Sequence, residues 1–256
     1  MSHPLTDADV EHFCRTGWLL TSPFTEIEVK QLRQWVAEIQ KWEIDNESGR
    51  WLHYQERTEH GPKLCRTENF TPFHQGMKAV LRSGVLCDIA SGLLGEQAVL
   101  YKEKINYKLA GGAGYAPHQD APAYRFVDTH VSCMIAIDDA DESNGCLEVV
   151  SDMHAEVLPM DDKGCIAQNV VDTLVWQTVP VRAGQVLWFH SRTPHRSGAN
   201  TSTSDRRAMY PTYNALREGD LREAYYAQKS DEFRARGTSG ETVQVSLIGD
   251  FQGIPV

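Results

Sequence analysis

Apolar residues recur at helical spacing along the first third of the chain, then break from about residue 98 into short runs cut by turn formers. Ile27, Leu32, Trp35, Val36, Ile39 and Trp42 fall near one face of a 3.6-residue period, which predicts an amphipathic helix over 25–43. Upstream, Thr6 precedes Asp7 and Asp9 and the pattern stops at Gly17, the start and stop signals of a short helix over 6–17. Trp18-Leu19-Leu20 then reads as a strand, and a further helix is predicted over 76–94, broken near Gly84. The runs 98–109, 129–137, 145–150, 170–181, 184–190 and 207–214 are separated by Gly, Pro, Asp and Asn. Several short strands with frequent turns predict a mainly β sandwich or barrel. Residues 217–236 return to helix, with Leu221, Tyr225 and Phe233 among many charges. No repeat, low-complexity tract or linker interrupts the chain. The expectation is one domain over 1–256, with a helical N-terminal third (1–97), a β core (98–215) and a C-terminal helix and tail (216–256).

Composition narrows the function. Apolar residues make up 41% of the 256, enough for a sizeable core. The net charge of -10 argues against nucleic acid, whose phosphates require clustered Lys and Arg, and against an anionic membrane surface. No basic segment leads into an apolar run at the start, and nothing approaches the roughly 20 apolar residues of a membrane span. Cys14, Cys65, Cys87, Cys133, Cys146 and Cys165 are scattered without a Cys-x-x-Cys, which predicts reduced thiols and a cytoplasmic protein. Oligomeric state leaves no signal in the sequence.

The candidate chemistry begins at residues 111–122, Gly-Gly-Ala-Gly-Tyr-Ala-Pro-His-Gln-Asp-Ala-Pro. On a strand His118 and Asp120 point to one face, as two unlike metal ligands would. A third ligand is offered by Val186-Leu-Trp-Phe-His-Ser-Arg-Thr-Pro-His, where an apolar strand runs into a turn bearing His195, and Arg206 follows eleven residues later. Two histidines and a carboxylate are the ligand set of the facial triad in non-haem Fe(II) oxygenases, which leaves one face of the ion open for a keto acid and dioxygen.

Taken in order, these segments resemble the phytanoyl-CoA dioxygenase family of Fe(II)/2-oxoglutarate oxygenases. The likeness runs over roughly 5–215, through Leu5-Thr-Asp-Ala-Asp-Val-Glu-His-Phe, Ile105-Asn-Tyr-Lys, His118-Gln-Asp, Asn144-Gly-Cys-Leu, His195-Arg-Ser-Gly-Ala-Asn and Arg206-Arg-Ala. It implies a double-stranded β-helix (jelly roll) buttressed by the N-terminal helices. By the same resemblance His118, Asp120 and His195 hold Fe(II), Arg206 grips the distal carboxylate of 2-oxoglutarate, and Ser197 and Asn106 assist. Asp120 stands where related halogenases carry a small residue, which implies hydroxylation, with dioxygen as cosubstrate and succinate and CO2 as products.

Other residues compete for these roles. His190 rivals His195 but lies on the preceding strand, and His130 and His154 read as structural or pocket-lining. Arg207 rivals Arg206, yet only one of two neighbours on a strand faces inward. Trp188 and Phe189 read as core, and Asn144-Gly145 as a turn. Cys65-Arg-Thr-Glu-Asn-Phe and Tyr210-Pro-Thr-Tyr-Asn with Glu218-Gly-Asp resemble bacterial members that hydroxylate aminoalkylphosphonates, which implies 2-aminoethylphosphonate as the small-molecule substrate. Lys104, Lys108, Arg66 and Arg125 are then candidates for the phosphonate, and Glu68, Asp138, Tyr124 and Tyr213 for the ammonium. The alternatives are the same chemistry on an amino acid, a quaternary amine or a natural product, or a non-catalytic metal- or ligand-binding β-barrel.

Overall fold

The computed structural model describes residues 4–44, 50–58, 61–124 and 127–237. Both N-terminal helices start on reciprocal caps. In α1 (Asp7–Thr16) the Thr6 hydroxyl accepts from Asp9 N, and the Asp9 carboxylate accepts from Thr6 N at 2.9 Å. The strand β1 (Trp18–Thr21) follows, and then α2 (Glu26–Ile39) repeats the device with Thr25 and Glu28. α2 ends four residues before the sequence pattern does, because Lys41 N and Trp42 N bond three residues back and tighten the last turn. The expected break at Gly84 separates α3 (Gln75–Arg82) from α4 (Val85–Leu94), with Gly84 at φ 71°.

The N-terminal third is not wholly helical. Between α2 and α3 runs a hairpin, β2 (Leu52–Thr58) and β3 (Gly61–Glu68). Its apolar alternation is broken because Arg66 and Glu68 are buried on it as charges that meet each other. The strands that follow are β4 (Ala98–Lys102), β5 (Lys104–Lys108), β6 (Tyr115–His118), β7 (His130–Ala136) and β8 (Leu147–Val149). The run 170–181 gives only a short strand, β9 (Gln177–Val179), after a single helical turn, α5 (Gln168–Val171). β10 (Val186–His190), β11 (His195–Ser197), β12 (Arg206–Met209), β13 (Thr212–Ala215) and the C-terminal helix α6 (Arg222–Gly237) complete the order.

Two antiparallel sheets form the jelly roll. The larger runs β1-β10-β7-β12-β5-β3-β2, with β13 joining β7 to β4, and the smaller runs β6-β11-β8-β9. β7 is buried along its whole length and shows how the layers are made. Val131, Cys133 and Ile135 pack toward the helices with Val36, Met77, Leu86 and Trp188. Met134 and Ala136 face the other way and meet Leu147, Val149 and Phe189 between the sheets. Ser132 shares that inner face, which matters below. Among the described residues no helix is long and apolar enough to cross a membrane, and all six cysteines are unpaired.

Candidate active site

β6 and β11 are antiparallel neighbours whose register sets His195 opposite His118, with ring centroids 4.1 Å apart. Asp120 lies two residues beyond the end of β6, in helical backbone (φ -72°, ψ -32°) that opens a short turn over Ala121–Ala123. It is therefore this turn, not a continued strand, that brings its carboxylate round to the histidines. Asp120 Oδ1 lies 3.9 Å from His118 Nε2 and 3.9 Å from His195 Nε2. Each ligand is held from behind. His118 Nδ1 donates to Ala116 O at 2.7 Å and His195 Nδ1 to Thr193 O at 3.0 Å, leaving both Nε2 lone pairs directed at the shared space. The Ser132 hydroxyl donates to Asp120 Oδ2 at 2.8 Å and leaves Oδ1 free.

Charge states match this arrangement. Burial, then His195, hold the His118 imidazole down to about 3, and burial also lowers His195, so both rings are neutral at ordinary pH. Burial works against ionisation of Asp120, but His195, Lys102, His118 and Lys104 outweigh it and keep the group a carboxylate. Two neutral imidazoles and one anion, their donor atoms within 4.8 Å of one another, fit a divalent iron.

The triad opens on a small, partly enclosed cavity. Phe189 stacks on His195 with centroids 4.6 Å apart, so it serves the site as well as the core between the sheets. Lys102 and Lys104 both line the cavity. The Lys102 ammonium sits 4.0 Å from the Tyr124 ring centroid and that of Lys104 5.3 Å from Tyr210. Among the described residues neither ammonium has a hydrogen-bond acceptor or an ion-pair partner. Burial lowers Lys102 to about 8 and Lys104 well below its usual value, the expected state of a desolvated cation awaiting an anion. Lys102 escaped the sequence reading, although a Lys-Glu-Lys at 102–104 inside an otherwise apolar β run was its signal. Tyr115, another lining residue, was also missed.

A second cationic group lies further along the same strands, with Lys108 two residues beyond Asn106 on β5 and Ser197 two beyond His195 on β11. Arg206 faces Lys108 across the β12–β5 ladder. Lys108 Nζ donates to Ser197 Oγ at 3.0 Å, to Gly145 O at 3.2 Å and to Gly198 O. Arg206 Nη2 donates to Gly145 O at 2.7 Å, and its buried Nε has no partner among the described residues. Lys108 is thus placed beside Arg206 and Ser197 and not with Lys104 at the cavity. Gly145, read as a plain turn, is where both cations anchor.

The other candidates separate cleanly. Arg66 donates to Asn106 Oδ1 at 3.1 Å and to Tyr115 OH at 3.3 Å, while Glu68 meets Arg66 at 3.5 Å and Lys229 at 2.6 Å. The pair therefore stands behind Asn106 and Tyr115 as a buried brace, outside the cavity lining. Asn106 and Tyr124 both line the cavity. Tyr213 faces the helices, donating to Leu81 O at 3.0 Å, while its neighbour Thr212 lines the cavity. Asp138 is occupied outside the site by Arg207, in two bonds of 2.8 Å. His190 packs on His154, and His130 lies behind Tyr124. Arg125 lies outside the described residues.

The sequence profile of the phytanoyl-CoA dioxygenase family matches residues 13–208. The chain is 45% identical to the methylphosphonate hydroxylase of Gimesia maris, over 100% of this chain and 98% of that one. It is 38% identical to a 2-aminoethylphosphonate dioxygenase from an uncultured bacterium, over 81% of this chain and 80% of the relative. Its fold is that of EctD from S. alaskensis, solved with 2-oxoglutarate and 5-hydroxyectoine, with a TM-score of 0.74 at 18% identity, covering 85% of this chain and 78% of that one. The chain belongs to the phytanoyl-CoA dioxygenase family and is an iron- and 2-oxoglutarate-dependent dioxygenase.

Proposed function

We propose that this enzyme hydroxylates the carbon next to phosphorus in a small alkylphosphonate, with methylphosphonate as the first candidate. The observation that carries the reading is the pair of lysines lining the cavity, Lys102 buried and Lys104 half-buried, neither of which has an ion-pair partner among the described residues. A phosphonate supplies that charge and, held there, sets its short carbon chain toward the triad. The cavity is small, which suits a compact substrate. The overall change is C–H plus dioxygen plus 2-oxoglutarate to C–OH plus succinate plus CO2, one oxygen atom entering each oxidised product.

When bound, iron supplies the activation of dioxygen that no side chain provides. In this reading His118, Asp120 and His195 hold it, with Ala116, Thr193 and Ser132 fixing their orientation. Arg206 and Lys108 receive the distal carboxylate of 2-oxoglutarate, with Ser197 and Asn106 beside them. Phe189 and Leu147 keep water from the reacting carbon. The larger sheet joins β1, β2 and β3 of the N-terminal third to β5, β7, β10 and β12, which supports a single oxygenase domain. Unpaired thiols at all six cysteines support a reducing, cytoplasmic setting.

2-Aminoethylphosphonate is the second reading, favoured by the relative at 38% identity. Its ammonium lacks an obvious acceptor, since Asp120 is the one carboxylate lining the cavity among the described residues and Glu68 is engaged by Arg66 and Lys229. Substrate-dependent succinate release decides between them. With Fe(II), 2-oxoglutarate and oxygen, methylphosphonate is expected to stimulate succinate formation more than 2-aminoethylphosphonate, an amino acid or a quaternary amine. Stimulation by none of the phosphonates would refute the substrate class.

A further inference from the structure

We infer that the C-terminal helix α6, which lies beyond the matched segment 13–208, sets anion affinity by holding the bend that carries Lys102 and Lys104. This rests on the phosphonate role proposed for those two lysines. Glu103, between them, is fully buried and absent from the cavity lining. Its carboxylate accepts from Thr71 N and Thr71 Oγ1, each at 3.0 Å, and from Arg222 Nε at 2.9 Å and Nη2 at 2.5 Å. Tyr226 grips the same residue by its backbone, for its hydroxyl accepts from Glu103 N at 2.9 Å and donates to Glu103 O at 2.7 Å. A backbone unit held at both N–H and C=O by one side chain has little freedom to turn, so the directions of its neighbours are fixed.

The electrostatic consequence is sharper than the mechanical one. Glu103 lies between the two cavity lysines in sequence, and without Arg222 its buried side chain would be left to seek another cation. Arg222 fills that need, its guanidinium lying 4.6 Å from the Tyr226 ring centroid and itself buried. The lysines therefore keep their charge for the cavity. Tyr225, one residue before Tyr226, packs on Tyr101 with centroids 4.9 Å apart. Together with Leu221 it supports the cluster of Tyr101 and Tyr124, the ring beneath the Lys102 ammonium. Arg222 and Tyr226 lie outside the cavity lining. They are positioning residues, and through Glu103 they determine how much positive charge the cavity presents.

The test is anaerobic calorimetry of the protein loaded with Fe(II) and 2-oxoglutarate, titrated with methylphosphonate, alongside a separate titration of 2-oxoglutarate. Arg222→Met is expected to weaken methylphosphonate about tenfold or more, because removing one partner of a buried ion pair leaves Glu103 to draw on a lysine. Affinity for 2-oxoglutarate should stay within about twofold, since its carboxylate belongs to the Arg206 group. Arg222→Lys, which keeps the charge but not the two-point grip, should lose less phosphonate affinity than Arg222→Met, and Glu103→Gln combined with Arg222→Met should restore much of it, an outcome that a merely structural role does not produce. Tyr226→Phe should cost about threefold, the size of a lost hydrogen bond, with little change in melting temperature.

Unchanged methylphosphonate affinity in Arg222→Met, or an equal loss for both ligands, overturns the inference. If Arg222→Met does not fold, Tyr226→Phe decides on the same criterion. If the unaltered protein binds no phosphonate, the proposed substrate fails and this inference with it. If Lys102→Met loses phosphonate while the α6 variants keep it, the inference alone fails.

Discussion

Replacing Ser132 by alanine should loosen iron without disturbing the fold. The Ser132 hydroxyl has one proton and two oxygen neighbours, Asp120 Oδ2 at 2.8 Å and Thr212 Oγ1 at 2.9 Å. The carboxylate can only accept, so Ser132 donates to Asp120 and Thr212 in turn donates to Ser132. This chain of donors pins one carboxylate oxygen and leaves Oδ1 facing the two Nε2 atoms. A hydrogen bond to a charged group contributes about 1.5–3 kcal/mol, which corresponds to about 10- to 150-fold in affinity. That agrees with the roughly 10- to 100-fold loss typical when a residue that orients a metal ligand is removed. The assay is competition for Fe(II) between the protein and a coloured chelator, with unfolding by urea measured in parallel. Ser132→Ala is expected to lower iron affinity about tenfold or more and global stability by only about 1 kcal/mol. Iron affinity within twofold of the unaltered protein would refute the idea that a fixed carboxylate is what the site supplies.

Lys102→Met should raise the KM for methylphosphonate by about tenfold or more while leaving the KM for 2-oxoglutarate nearly unchanged, and parallel rises in both would contradict the division of charges between the two groups. Gly145→Ala should weaken 2-oxoglutarate about tenfold, because Gly145 sits at φ 70° and an added methyl overlaps Gly198 O and Lys108 Nζ, displacing the carbonyl that anchors Lys108 and Arg206; calorimetric titration reads this directly. Burial, then Arg206, lower the Lys108 ammonium to about 7, so above that pH Lys108 loses its charge in the site without ligand. An incoming carboxylate restores it, so 2-oxoglutarate binding should take up a proton and weaken as pH rises from 7 to 9, about tenfold per unit at most. Titrations in buffers of different ionisation heat measure that uptake, and Lys108→Met should abolish it.

What could be read from sequence was local chemistry and strong periodicity. α1 and α2 are announced by caps that bond within four residues, and the interruption at Gly84 by a conformation other residues avoid. β7 and β10 declare themselves as apolar runs because both faces are covered. The hairpin β2–β3 did not, since Arg66 and Glu68 occupy buried positions that a hydrophobic pattern assigns to solvent. The triad was legible as residue types but not as geometry. The adjacency of His118 and His195 comes from register between β6 and β11, and the reach of Asp120 from a turn where strand was expected. Parity explains one reassignment and position along a strand another. Thr212 faces the cavity and Tyr213 the helices, whereas Lys108 shares its face of β5 with Asn106 but lies at the Arg206 end. Lys102 and the α6 contacts depend on packing between distant segments, which no single stretch of sequence displays.

The central claim is that this site inserts oxygen into a carbon–hydrogen bond beside phosphorus. The most direct measurement is phosphorus NMR and mass spectrometry of the product from methylphosphonate, formed with Fe(II), 2-oxoglutarate and isotopically heavy dioxygen. The account predicts a single new phosphonate whose hydroxyl oxygen derives from dioxygen, formed in step with succinate and abolished by Asp120→Ala. Succinate released in full while methylphosphonate and its amino derivative stay unaltered, with the protein folded and loaded with iron, would contradict it.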